Sequence, residues 1–429
     1  MRRPQRRPCR PHRQYQSLDQ HGKAREVLTR AYELAGGSSE LATRAKAACA
    51  LASAMSQAGE GDRAEQLLRR AEDQLPNEPQ FALHRVFCLE MGSVLAQERG
   101  DAQAAIERAE TAQRVLEESH FDSALMDLRI SAGLATAYAF AGRLRDAVPF
   151  YDRAYRRLTA LGRDDTRTAG TILNNWGNAL LALGQPLQAE RLFRRVIQTG
   201  SATEDSATPV RLNNLARSLR DLDRLSEAAH YAELSYAKAQ QMGHEIAVDQ
   251  SLFVRASIYR QQGELDDAGR VLAQLEPRLK RLPAEHILFG VLALERARLA
   301  QVRGDSAAAM AAADRATAIA EASTQRIVYL SRFLLGRSEL AYQMGRLDRA
   351  RDDAREAVRL ELEGVVPEIF SSHLGRCYLA LGRALQGQGR IDQARAAFAS
   401  ALQHLEPSLG ANHSDTRAAR QLGLEIRGR

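Results

Sequence analysis

Two asparagine doublets stand out for the chemistry they offer. Leu173-Asn174-Asn175-Trp176-Gly177 is matched 39 residues later by Leu212-Asn213-Asn214-Leu215-Ala216. An asparagine side chain carries both a donor and an acceptor, so it can hold a peptide backbone through both, whatever that peptide's sequence. Asn178 and Arg217 occupy equivalent places shortly after the doublets. The other use of such doublets is to hydrogen-bond to each other across neighbouring helices.

Arginines form a second pattern. Arg217, Arg298 and Arg383 recur at one register position, Arg220 and Arg260 at another, and Arg332 and Arg376 at a third. A planar guanidinium matches a carboxylate through two parallel hydrogen bonds. The spacing therefore predicts either a basic wall suited to carboxylates or an acidic peptide segment, or a solvated wall of ion pairs. Glu339, in the same register as Arg217, supplies such a partner. Arg255, Arg296 and Arg337 recur every 41 residues near the expected core, where pairing between repeats is the expected role. Catalytic patterns are missing: there is no H-E-x-x-H, no G-x-S-x-G, no phosphate loop and no kinase set. The ten histidines lack metal-ligand spacing. The expectation is a chain that is not an enzyme and takes no metal or cofactor.

The elements that must position these residues are set by a repeat. A Gly followed five residues on by Ala occurs at Gly59, Gly100, Gly142, Gly184, Gly263, Gly304, Gly345 and Gly389. Asp19 and Asp223 fit the same series, so ten starts lie 39 to 44 residues apart. Glycine ends a helix cheaply in the left-handed region, and Asp tolerates that region better than most residues. Seven residues before the turn stand Ala52, Ser93, Ala135, Gly177, Ala216, Ala256, Ala297, Ser338 and Gly382. A column with nothing larger than Ala or Ser marks a close helix crossing. The pattern predicts an all-α solenoid of paired helices, the first of each pair running roughly 40–58, 80–99, 123–141, 166–183, 206–222, 244–262, 285–303, 325–344 and 368–388, with these helices lining the concave face. Composition agrees: Ala and Leu dominate, aromatics are 5%, and no stretch is long and apolar enough for a membrane span.

Around Trp176, Gly177, Leu180, Gly184, Ala189 and Phe193 the chain resembles tetratricopeptide repeats, in the longer form seen in kinesin light chains and bacterial regulators. HEAT repeats, of similar length, are the structural alternative. The resemblance implies a right-handed superhelix of about nine to ten helix pairs. It also implies peptide binding through Asn174, Asn175, Asn178, Asn213, Asn214 and Arg217. Arg220, Arg260 and Arg298 join this set from the basic series.

The expected layout is a disordered basic tail over 1–18, a solenoid over 19–410 and a C-terminal capping helix over 411–429. The net charge of +7 resides mostly in that tail, which holds six arginines and no acid, so a nucleic-acid-binding face is not implied. The first repeat lacks a convincing opening helix, which fits a piece of a longer array. Cys49, Cys88 and Cys377 lie in apolar helical stretches and read as small hydrophobes in a reducing cytoplasm. The function these features imply is a non-catalytic scaffold that holds a protein or peptide segment on its concave face, in bacterial signalling. The alternative is a receptor for a peptide or metabolite that controls a DNA-binding or kinase domain.

Overall fold

Nine reversals of the chain occur at the expected turns, each on a residue with positive φ: the eight glycines from Gly59 to Gly389, with φ between 70° and 86°, and Asp223 at 61°. The computed structural model describes residues 12–198, 207–323, 326–363 and 370–425, and the described residues are helical with no strand. They divide into two compact units, 1–175 and 176–429. The first holds α1 (His12–Gly36), α2 (Leu41–Gln57), α3 (Gly61–Asp73), α4 (Ala82–Glu98), α5 (Ala102–Glu118), α6 (Ala124–Phe140), α7 (Leu144–Ala160) and the start of α8 (Arg167–Ala182). The second holds the rest of α8, then α9 (Pro186–Gln198), α10 (Pro209–Asp221), α11 (Leu225–Gln241), α12 (Glu245–Gln262), α13 (Leu265–Leu279) and α14 (Ile287–Val302). It continues with α15 (Ser306–Ala322), α16 (Arg326–Gln343), α17 (Leu347–Glu363), α18 (Ser372–Gly387), α19 (Ile391–Leu409) and α20 (Ser414–Glu425).

The core is the repeat itself. The Ala five residues after each turn (Ala64, Ala105, Ala147, Ala189, Ala228, Ala268, Ala309, Ala350 and Ala394) is 0% exposed in every case. Its smallness lets the second helix of each pair press against the small column of the first. Where that column holds a serine, the hydroxyl is satisfied by the same crossing: Ser93 donates to the Ala105 carbonyl at 2.8 Å and Ser338 to that of Ala350 at 2.7 Å. Where it holds glycine, an aromatic ring fills the space. A Cβ on Gly382 would lie 2.5 Å from Phe398, and one on Gly177 would lie 2.6 Å from Phe193. Asp101 and Asp305 cap the helices after their turns by accepting from the amides of Ala104 and Ala308.

Three expectations are corrected. Asp19 is not a tenth turn: it lies inside α1, which runs unbroken from His12. Asp tolerates the left-handed conformation without imposing it: the chain turns at Asp223, whereas helix continues through Asp19. The helix therefore also occupies 12–18 of the segment expected as a tail, while residues 1–11 fall outside the described residues. Cys49 and Cys88 are not thiols but a disulfide, with Cα atoms 5.3 Å apart, because α2 and α4 pack side by side. Cys377 stays a buried free thiol, its pKa pushed well up by burial. Cys9 lies outside the described residues. The last described helix, α20, packs on α19.

Candidate functional site

Each arginine register becomes a physical neighbourhood in the second unit. A cavity of about 530 Å³ is lined by Leu181 of α8 and by residues of α10, α12, α14, α16, α18 and α20. The second helices of the pairs contribute nothing to it. The first helices thus form an inner wall, as the solenoid pattern requires. The cavity gathers Arg217, Arg220, Arg260, Arg298, Arg332 and Arg376, whose charges stand beside an apolar floor that includes Val291, Leu294 and Phe333.

The unit's last helices meet its first ones along this wall. The Ser372 amide donates to the Gly184 carbonyl at 2.8 Å, and Arg332 reaches the Ala182 carbonyl at 3.1 Å. The Ser414 amide donates to Asp223 at 3.1 Å. His413 Nε2 donates to the Asp221 carbonyl at 3.1 Å, while its Nδ1 accepts from the Asp415 amide at 3.1 Å and so caps α20. These contacts border the cavity within one unit.

Electrostatics sort the six arginines. Arg220 pairs with Asp221 at 2.6 Å, Arg298 and Arg260 share Glu295 at 2.8 and 3.3 Å, and Arg376 pairs with Asp415 at 2.7 Å. Burial acts against the Asp221 carboxylate, but Arg220 and Arg376 outweigh it and hold its pKa down at about 2. Glu295 is likewise lowered, burial being outweighed by Arg298 and Arg260. Glu339 goes the other way: burial raises its pKa despite Arg298 nearby. His373 is kept neutral by burial and by the adjacent charges of Arg332 and Arg376. Arg217 and Arg332 form no ion pair with any described residue. Burial, then repulsion from Arg220 and Arg332, lowers the pKa of Arg217.

The predicted site residues divide. Arg217, Arg220, Arg260 and Arg298 converge on the cavity. Asn213 and Asn214, on α10, are buried at 2% and 4% exposure and do not line it. Asn213 Oδ1 finds no hydrogen-bond partner among the described residues. Asn178 is half-buried on α8, also outside the lining. Asn174 and Asn175 belong to the first unit, where Asn174 Nδ2 donates to Asn175 Oδ1 at 3.3 Å. The site set named from sequence omitted Tyr329, Arg332, His373 and Arg376. Arg332 and Arg376 are grouped by register as part of the basic wall, and Tyr329 and His373, spaced by the same 44 residues, could have been found the same way. The third arginine series resolves as inter-repeat pairing: Arg255 with Glu233 at 2.7 Å, Arg296 with Glu276 at 2.8 Å, and Arg337 with Asp314 at 3.0 Å, Arg337 also pairing within its own repeat with Asp353 at 2.8 Å. Among the described residues no His, Cys, Asp and Glu cluster has the makings of a metal site. No described helix is long and apolar enough to cross a membrane.

The MalT-like TPR region matches residues 91–329, more than half of the chain, and a further tetratricopeptide repeat matches residues 375–406. No curated protein matches the sequence. Among solved structures, the apo form of the quorum sensor NprR from B. thuringiensis is similar at TM-score 0.58 and 13% identity, over 82% of this chain and 99% of that one. NprR in complex with its cognate peptide NprX is similar at TM-score 0.57 and 11% identity, covering 89% of this chain and 99% of that one. Rap protein complexed with Competence and Sporulation Factor is similar at TM-score 0.53 and 12% identity, covering 80% of this chain and 97% of that one. At these identities the likeness is one of fold.

Proposed function

The chain belongs to the MalT-like TPR region family, and from that premise we propose that it is a non-catalytic protein- and peptide-interaction module in bacterial signalling, with its ligand on the inner wall of the second unit. The observation that carries this reading is the convergence of six arginines from successive first helices on one cavity. Such a wall binds and orients; it makes and breaks no bond. The complexes of NprR with NprX and of Rap with Competence and Sporulation Factor support a peptide as the ligand class. The cavity's volume of about 530 Å³, bordered by end-to-start contacts of the unit, favours a short ligand and so the sensing form of this role, in which occupancy is relayed to a DNA-binding or kinase domain.

The test is selection of heptapeptides from a displayed library on the immobilised full chain, followed by titration of the selected peptides. Arg260→Gln should weaken binding by roughly 1–3 kcal/mol, the cost of leaving polar partners unsatisfied. Arg298→Gln should weaken it at least comparably, and Arg359→Gln, on the exposed α17 surface, should not. Unchanged affinity in the Arg260 and Arg298 variants, with helical content preserved, would refute the reading.

A further inference from the structure

The charge balance inside the cavity is incomplete. Four of its six arginines are matched to Asp221, Glu295 and Asp415. Asp223 is engaged by His413 and the Ser414 amide instead. Glu339 is biased toward its neutral form by burial. That leaves Arg217 and Arg332, which face the same cavity from α10 and α16 and stand close enough to repel one another. Arg332 spends one Nη on the Ala182 carbonyl and on His373 Nε2, and its Nε is buried without a partner among the described residues. His373 offers no proton to compete, because its neutral ring accepts from Arg332. An apolar floor of Leu181, Val291, Leu294 and Phe333 lowers the local dielectric, which magnifies both the repulsion and the gain from a counter-charge.

We propose that Arg217 and Arg332 form an oxyanion subsite that holds a carboxylate or phosphate group of the ligand. The two guanidiniums supply forked donors from two helices, the geometry that planar carboxylate or tetrahedral phosphate oxygens accept. The ligand class is a short molecule with an acidic group set against an apolar body that covers the floor. The inference rests on the reading of the inner wall as the ligand site and names the chemistry of its anchor.

Isothermal titration of the full chain at low ionic strength with succinate and, separately, inorganic phosphate tests it. Saturable one-to-one binding of either anion is expected, weakened about tenfold or more by Arg217→Gln and by Arg332→Gln. Arg270→Gln, an exposed pair-forming residue of α13, should leave it unchanged. Binding of succinate alone assigns a carboxylate ligand, and binding of phosphate alone assigns a phosphorylated one. Arg217→Gln also removes an unpaired buried charge, so the ligand-free variant should melt no lower than the parent, which separates loss of binding from loss of fold. No saturable binding of either anion, or equal binding by both Gln variants, overturns the subsite. Peptides selected as above that are neutral, yet lose affinity in Arg260→Gln, would leave the broader reading standing while this one fell.

Discussion

Replacing Gly382 by Ala tests the packing logic on which the fold depends. In an open helix position the change should stabilise by roughly 0.5–1 kcal/mol, because glycine loses more backbone freedom on folding. Gly133 in α6 is such a position, since a Cβ there meets nothing within 4 Å. At Gly382 the new Cβ would sit 2.5 and 2.6 Å from two ring carbons of Phe398. Phe398 is 1% exposed and has nowhere to turn. Relief requires the ring or α19 to shift, and overpacking of this kind typically costs about 1–3 kcal/mol. The net expectation is destabilisation by about 1–2 kcal/mol at Gly382 and slight stabilisation at Gly133, a difference in sign from the same chemical change. Urea titration followed by circular dichroism measures both. Trimming the ring with Phe398→Leu should cost about 1–2 kcal/mol alone through the void it leaves, and much less in the Gly382→Ala background. If Gly382→Ala stabilised as Gly133→Ala does, or if the two changes simply added, the small column would not be a steric crossing and the reasoning would fail.

Three further outcomes follow from the pairs described. The pKa of Asp221 is depressed to about 2 from 3.8, so its contribution of about 2 kcal/mol is fully present above pH 3.8 and is lost as pH falls toward 2; Asp221→Asn should lower the urea midpoint at pH 7 and flatten its decline through that window. Arg337 donates to both oxygens of Asp353 at 2.8 Å and also reaches Asp314 and Thr317, so Arg337→Lys should cost about 1–2 kcal/mol by urea titration, while Arg296→Lys, at an exposed pair, should change stability by less than about 0.5 kcal/mol. Reducing the Cys49–Cys88 disulfide, which spans 39 residues, should destabilise the first unit by about 2–4 kcal/mol; hydrogen exchange of α2 to α4 with and without dithiothreitol checks this, and unchanged protection would refute it.

Much of the fold was legible because its determinants are local and repeated. A glycine that tolerates positive φ, an alanine five residues later and a small residue seven before are each sufficient to place a turn and a crossing. The first helices of the pairs accordingly begin and end within four residues of their predicted bounds. Asp19 misled because Asp only permits the left-handed conformation: the same residue type turns the chain at Asp223, while at Asp19 the helix runs on.

The site was legible only as a register. Offsets from the turn grouped Arg217 with Arg298 and Arg220 with Arg260, and the wall they were expected to form is the cavity lining. Register alone says nothing about which arginine finds a carboxylate, since Asp221 and Asp415 are brought together with Arg376 only when α20 returns to α10. Burial of Asn213 and Asn214, the disulfide between α2 and α4, and the meeting of Gly184 with Ser372 are of the same kind. They depend on the small rotation from each helix pair to the next, summed over the unit. Local sequence sets each step to within a side chain's width, but only the accumulated sum decides which distant residues touch and which charges are left without a partner.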